Sequence, residues 1–245
     1  MAKQTKNLIS DAQIMDCLRG HLVGQRPVTL HNTYQGVPVH TEAEVAMVHA
    51  DFLGLIVHPY QAVCIKEARY TFIESKSLPQ MVRGFPISID YTNHVVLLKE
   101  LKIPHAINVD LVHSWVAPEK PVSVEVHAQD RTVHPASLLG IAVLEDNRVR
   151  VVMSVDVDIP LVRSDQVSLG FQFEAKGDPL WVRGEVQSLI KLRNQDKKRL
   201  EVDGSAVMMD EVTILAYIGK REDQIMSALD KAYKRLRKGK KGGKR

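Results

Sequence analysis

Alternation of apolar and polar residues is the main signal in the central part of the chain. In residues 149–159, valine, methionine and isoleucine occupy every second position, with mostly polar residues such as Arg150, Ser154 and Asp156 between them. A period of two is typical of a strand with one buried face. The pattern recurs in residues 122–126 and 167–174, and further strand candidates are 137–144, 180–190 and 199–209. Six short strands without an intervening helix predict a small antiparallel barrel.

A second β-rich region precedes this one. Residues 37–47 alternate cleanly, and shorter strand candidates lie at 53–57, 62–65, 70–75, 82–89 and 94–98. Helical spacing of apolar residues appears only at the two ends, over residues 8–18 and in a helix that begins at Glu211 with Asp210 as its N-cap. Residues 99–121 contain three prolines and no clear period, which predicts a domain junction.

The patterns together predict a mainly β protein in three parts. Residues 1–105 form a β-barrel-like domain with a short leading helix. Residues 106–225 form a second, six-stranded antiparallel β-barrel with the start of a C-terminal helix. Residues 226–245 form the end of that helix and a basic tail.

The composition is that of an ordinary globular protein. Of the 245 residues, 44% are hydrophobic and 25% are charged. The chain has no apolar run of about 18 residues and no secretory apolar core near its start, so we expect a cytoplasmic protein. Its two cysteines, Cys17 and Cys64, cannot make a disulfide scaffold, and we expect two inert thiols.

The net charge of +4 is unevenly distributed. Residues 231–245 hold nine basic and no acidic side chains, whereas residues 1–230 hold 24 basic against 29 acidic ones. Two interpretations of this tail remain open: a solvated helix end, or a weak electrostatic tether for an anionic surface such as lipid headgroups or nucleic acid.

Motifs for the commonest enzyme classes are missing from the sequence. It contains no GxGxxG, no Walker-type phosphate loop and no GxSxG elbow. The ten histidines are scattered, without an HExxH or a CxxC partner. We therefore expect no catalytic residues, no metal site and no cofactor, and we predict that the chain is not an enzyme.

Two short segments carry a resemblance to a known family. Pro121-Val122 opens one predicted strand, and the segment from Pro135 to Gly140 matches an Asp/Asn-x-Ser-x-x-Gly signature at Ser137 and Gly140. With the order of elements over roughly residues 20–225, these features resemble the PilZ-domain family in its two-domain form, which is similar to flagellar brake proteins. The resemblance implies an N-terminal split β-barrel, a six-stranded PilZ barrel and a C-terminal helix.

The resemblance also implies cyclic di-GMP as a possible ligand, but with degenerate motifs. Family members bind it with an RxxxR segment and the second signature, because a guanidinium can pair with guanine or phosphate. Here the aligned arginine positions hold Leu111 and Trp115, the aligned aspartate position holds Pro135, and residues 84–130 contain no arginine. Loss of two such partners removes roughly 4 kcal/mol or more, a factor of about a thousand in affinity. The candidate ligand-binding residues are Ser137, Gly140, Trp115, His113 and Arg131. Of these, Trp115 would stack on a base, and His113 and Arg131 would provide positive charge.

The sequence therefore predicts a non-enzymatic bacterial PilZ-type adaptor in cyclic di-GMP signalling. It would bind cyclic di-GMP weakly or not at all and regulate motility, pili or surface polysaccharide through contacts with a protein partner. The alternative is a ligand-independent interaction or assembly subunit that uses the barrel as a scaffold. A third hypothesis is a nucleic-acid-associated protein that works through the basic tail. The oligomeric state stays open.

Overall fold

The computed structural model describes residues 11–107, 111–174, 178–192 and 196–239. These residues fall into two compact units. The first unit contains residues 11–34, 38–107, Leu111 and 226–239, and the second contains 35–37 and the described part of 112–225.

The first unit is built on a closed six-stranded barrel with the strand order β1-β2-β3-β6-β5-β4. Its strands are β1 (Val28–Tyr34), β2 (Val37–Val48), β3 (Leu53–Ile56), β4 (Thr71–Glu74), β5 (Val82–Asp90) and β6 (Val95–Lys102). Helix α1 (Asp11–Gly24) places Ile14 and Leu18 in the barrel core. The leading helix is confirmed from Asp11 onward and is longer than predicted, and residues 8–10 of that prediction lie outside the described residues.

The strand predicted over residues 62–65 is wrong, because this segment lies in helix α2 (Pro59–Ala68). His58 is the N-cap, and its side chain accepts a hydrogen bond from the backbone N–H of Tyr60. Pro59 occupies the first turn, where its missing N–H costs nothing, and Arg69 ends the helix in the left-handed conformation. A four-residue apolar run is compatible with a buried strand or a buried helix, and here the flanking caps favour the helix.

The second unit contains a sheet with the order β10-β13-β12-β11-β8-β9-β7, and a β10–β9 pairing closes six of these strands into a barrel. The strands are β7 (Trp115–Val116), β8 (Ser123–His127), β9 (Val133–Val143), β10 (Val149–Asp156), β11 (Gln166–Phe171), β12 (Leu180–Lys191) and β13 (Lys197–Ala206). The pairs are antiparallel, so the predicted fold class of two β-barrels and a C-terminal helix is confirmed.

The C-terminal helix α3 (Met208–Gly239) begins earlier than predicted. The N-cap role predicted for Asp210 is wrong, because this residue lies inside the first turn. Its carboxylate accepts a hydrogen bond from the backbone N–H of Trp181, at 2.9 Å. In the first unit, the hydroxyl group of Tyr233 in the same helix lies 2.9 Å from Nε2 of His94.

The interior of the second barrel explains the period-two patterns. Inward positions of β9, β10, β11 and β13 hold large apolar side chains that are at most 4% exposed: Leu138, Ile141, Val151, Met153, Leu169, Phe171, Leu200 and Val202. The alternate positions therefore face outward, and on β9 these include Ser137. No helix in the described parts of the chain has an apolar stretch long enough to cross a membrane.

Candidate functional site

The candidate site lies on the outer face of β9. Ser137 is exposed and pairs with Ser123 of β8 on one side and Ser154 of β10 on the other. Gly140 lies three residues further along, beside Val152 of β10, after a bulge in β9. The two residues that match the family signature therefore share one outer face of the second barrel, because the bulge between them shifts the alternation of β9 by one residue.

Trp115 occupies the surface of Gly140. The short strand β7 pairs with β9 in the register Trp115↔Ala142, and this places the indole over the neighbouring glycine. A Cβ on Gly140 would lie 2.5 Å from the indole nitrogen and closer still to Cε2 and Cζ2. Only a residue without a side chain fits beneath this ring.

The indole closes this part of the outer face. Ala142 is 2% exposed and Val152 is 1% exposed, although both point away from the barrel interior. The indole nitrogen is itself shielded from solvent and has no hydrogen-bond partner among the described atoms. The Gly140 surface, where the family resemblance implies a ligand, is therefore filled by a side chain of the same chain.

The other positions aligned with family motifs also lack charged groups directed outward. Leu111 is 7% exposed and groups with the first unit. His113 lies two residues before Trp115, and its Nε2 is shielded from solvent. Pro135 is exposed on β9 opposite Glu125 and provides no carboxylate.

Arg131 lies away from Gly140. It belongs to the β8–β9 turn, where its backbone N–H donates to the carbonyl oxygen of Ala128. Gly140 lies seven positions after Val133, the first residue of β9, which corresponds to about 23 Å along an extended strand. A single arginine side chain does not span this distance, so the structure brings Trp115 and Gly140 together, with Ser137 on the same strand, and leaves Arg131 apart.

Sequence analysis missed one arginine close to the site. Arg199 of β13 pairs with Ser154, so a row of outward residues runs across four strands and includes Ser123, Ser137, Ser154 and Arg199. The guanidinium of Arg199 already forms an ion pair with Glu201 at 2.7 Å. Arg150, on the next strand, forms a bidentate pair with Asp203 at 2.7 and 2.8 Å. Neither motif nor spacing signals Arg199, because only the pairing of β10 with β13 brings it to this row.

Helix α3 holds the segment that follows Trp115. Nε of Arg221 donates to the carbonyl oxygen of Ala117 at 3.2 Å. The ring of Tyr217 stacks on Phe173 with centroids 3.6 Å apart and planes 2° from parallel. Burial raises the pKa of Tyr217 above its usual value, and a backbone hydrogen bond from Glu119 opposes this shift. The hydrogen bonds of Ala117 with Arg221 and of Glu119 with Tyr217 tie the segment after β7 to helix α3.

Groups that could support catalysis or metal binding are few in the described residues. No cluster of three or more histidine, cysteine, aspartate or glutamate side chains suited to a metal ion occurs among them. The buried thiol of Cys64 has its pKa raised to about 12 by burial, so it stays protonated and unreactive near neutral pH.

Comparisons with known proteins give structural neighbours only. No family model matches the chain, and no curated protein matches it. The chain is similar to YcgR from Escherichia coli in complex with c-di-GMP, with 10% identity over 89% of this chain and 93% of the other and a TM-score of 0.41. It is similar to the inhibitor of motility MotI/DgrA from Bacillus subtilis, with 8% identity over 81% of this chain and 96% of the other and a TM-score of 0.38.

A third neighbour is the MrkH–c-di-GMP complex from K. pneumonia, with 9% identity over 92% of this chain and 97% of the other and a TM-score of 0.34. All three are PilZ-domain proteins, the family that the sequence resembles.

Proposed function

We propose that this chain is a non-enzymatic, cytoplasmic adaptor of the PilZ type that acts in cyclic di-GMP signalling without binding the cyclic dinucleotide tightly. Its targets are the machinery of motility, pili or surface polysaccharide, which it regulates through protein contacts. The order of two β-barrels and a C-terminal helix, together with the positions of Ser137 and Gly140, supports the PilZ type.

The observation that carries the proposal is the indole of Trp115 over Gly140. A guanine base and an indole cannot occupy the same surface, so a ligand has to displace the tryptophan before it reaches the glycine. Displacement uncovers the Gly140 surface, and the positions of Leu111 and Trp115 provide no cation that would compensate for the lost packing. With both arginines lost, we expect affinity lower by about a thousandfold than that of an intact site.

Calorimetry with cyclic di-GMP tests the proposal. We expect no saturable heat from the wild-type protein at ligand concentrations up to about 100 µM. The double variant Trp115→Arg with Pro135→Asp opens the Gly140 surface and restores one guanidinium and one carboxylate, so it should bind at least tenfold more tightly. Leu111 is kept, because an arginine there would bury a charge.

Trp181→Arg is the matched control. Trp181 also lies over a glycine of the second barrel, Gly170, but on β12 and β11 rather than at the candidate site. This variant should not gain binding. Wild-type binding below 10 µM would contradict the proposed absence of tight binding, and an equal gain in Trp181→Arg would show that charge alone explains the binding.

The alternative is a ligand-independent interaction or assembly subunit that uses the barrel as a scaffold. The filled Gly140 surface and the paired state of Arg150 and Arg199 are compatible with it. Deletion of the gene in the host bacterium discriminates between the two. A change in motility, piliation or polysaccharide that depends on the cellular cyclic di-GMP level supports the adaptor, whereas a change independent of that level supports the scaffold.

A further inference from the structure

The start of α3 carries a continuous exposed apolar surface in the second unit. Its large side chains, with their exposed fractions, are Val207 (64%), Met208 (77%), Met209 (76%), Val212 (59%) and Leu215 (41%). Met208, Val212 and Leu215 follow a spacing of four and three residues, so they form one stripe along the helix. We call these five residues the α3 patch. Its exposed apolar area is on the order of 500 Å², which is the size at which a surface patch is typically functional.

A groove lies beside the α3 patch. It has a volume of about 470 Å³, and Phe173, Leu180 and Tyr217 provide its apolar lining. Met209 belongs to both the α3 patch and the groove, so the two form one surface. A ridge next to a groove is the shape into which an amphipathic helix packs.

Contacts within the second unit hold this surface in place. The opposite face of this part of α3 is anchored by Ile214, which is not exposed, and Ile218, which is 5% exposed. Tyr217 stacks on Phe173, and Asp210 accepts a hydrogen bond from the backbone of Trp181. A preformed surface loses little conformational entropy on binding.

Gly219 continues the stripe one turn beyond Leu215. A Cβ at Gly219 would meet nothing within 4 Å, so nothing inside the chain requires a glycine there. Glycine in a helix interior destabilises the helix relative to alanine. On an exposed face next to Ala216, the missing side chain allows the backbone of a second helix to come close.

The border of this surface is acidic. Glu211, Glu222 and Asp223 lie along or at the end of the stripe, and Glu174 and Asp178 border the groove. Lys220 is the cation among the groove residues. Apolar anchors with an acidic border complement a helix that has an apolar face flanked by lysine or arginine.

We propose that the α3 patch and its groove are the docking surface for a basic amphipathic helix of a partner protein. This inference deepens the adaptor role proposed above and rests on it. A helix laid on this surface buries about 1,000 Å² in total, which is at the low end for specific interfaces and is typical of a transient signalling contact.

A second copy of the chain fits this surface less well. In a two-fold contact the same patch meets itself, so Glu211 of one copy would approach Glu222 of the other. Like charges across an interface disfavour such a pair. An anionic membrane is disfavoured for the same reason.

Fluorescence anisotropy with a designed probe tests the proposal on the full chain. The probe is an 18-residue labelled peptide with a leucine stripe flanked by lysine, and its control is the same peptide with glutamate in place of lysine. We expect the lysine-flanked peptide to bind at least tenfold more tightly at low salt. Equal affinity for the two peptides would overturn the proposed partner chemistry.

Two variants place the binding on the α3 patch. Leu215→Glu should weaken binding of the lysine-flanked peptide at least tenfold. Gly219→Leu should weaken it without lowering the melting temperature, because a Cβ at this position meets no heavy atom within 4 Å and leucine favours the helix over glycine. Val162→Glu is the matched control, since Val162 is 63% exposed in the same unit but outside α3. If this control weakens binding as much as Leu215→Glu does, the assigned surface is wrong.

A charge reversal and an association measurement complete the test. Glu211→Lys with Glu222→Lys should reverse the preference between the two peptides. In analytical ultracentrifugation we expect the protein not to dimerise through the α3 patch. A dimer that is lost in Leu215→Glu would overturn the proposal in favour of a second copy. Binding to anionic vesicles that depends on Leu215 would overturn it in favour of a membrane. These outcomes do not depend on cyclic di-GMP, so they are separable from failure of the calorimetric test.

Discussion

The packing of Trp115 on Gly140 makes a quantitative prediction for the variant Gly140→Ala. In an ordinary strand this substitution stabilises the fold by about 0.5–1 kcal/mol, because alanine loses less backbone entropy on folding than glycine does. Here the new methyl group would lie 2.5 Å from the indole nitrogen, so the ring or the strand β7 has to move. Overpacking of this kind costs about 1–3 kcal/mol. We therefore expect Gly140→Ala to lower the free energy of unfolding by about 1–2 kcal/mol.

The variant Trp115→Ala changes the sign of this effect. Removing a buried tryptophan typically costs about 3–5 kcal/mol, and since Trp115 is only partly buried we expect about 2–3 kcal/mol. Without the indole the methyl group has room, so Gly140→Ala should then stabilise the fold by about 0.5–1 kcal/mol. The double-mutant cycle should give a coupling free energy of about 1.5–3 kcal/mol between the two positions.

Urea denaturation of the four proteins measures this cycle. Circular dichroism follows the whole chain, and the fluorescence of Trp181, which all four proteins retain, follows the second unit. Agreement between the two probes shows that the two units unfold together and that the transition can be treated as two-state.

Gly170→Ala is the matched control for this cycle. Its methyl group would lie 3.0 Å from the ring of Trp181, a looser contact that small movements can relieve. We expect a smaller loss of stability than for Gly140→Ala. A coupling free energy near zero between Trp115 and Gly140, or equal effects of the two glycine variants, would refute the filled-surface interpretation.

Two further predictions concern the first unit and the tail. Burial and the neighbouring His31 lower the pKa of His40 in the folded protein. On acidification below about pH 6.5, the imidazole of His40 is therefore protonated in the unfolded chain before it is protonated in the folded one, and the free energy of unfolding falls. His40→Gln should flatten this slope in urea denaturation between pH 5 and 8, and an identical effect of His105→Gln would contradict the assignment. Truncation after Gly239 keeps Tyr233 and its contact with His94, so the melting temperature should not change, while retention on anionic vesicles or DNA at low salt should fall. Truncation after Asp230 removes Tyr233 and should lower the melting temperature as well. Unchanged retention after both truncations would exclude the tether.

The hydrophobic pattern alone determined most of the strands of both barrels. In β10 and β11 the period of two identifies the buried face, because a strand places alternate side chains on opposite sides. A separate strand candidate over residues 137–144 also placed Ser137 on the strand that carries it. The method failed at residues 62–65, since a run of four apolar residues has no period and the capping by His58 and Pro59 decides for a helix.

Local pattern shows which side of an element is apolar, but it does not show what covers that side. The spacing of Val212, Leu215 and Ile218 predicts one helix, yet in the structure Ile218 is buried and the other two side chains are exposed. Trp115 and Gly140 are 25 positions apart along the chain, and only the pairing of β7 with β9 brings the indole onto the glycine. Contacts of this kind depend on strand register and on the approach of distant segments, and only the tertiary structure decides these. The physical reason is that the free energy gained by covering an apolar surface does not depend on where in the sequence the covering group lies.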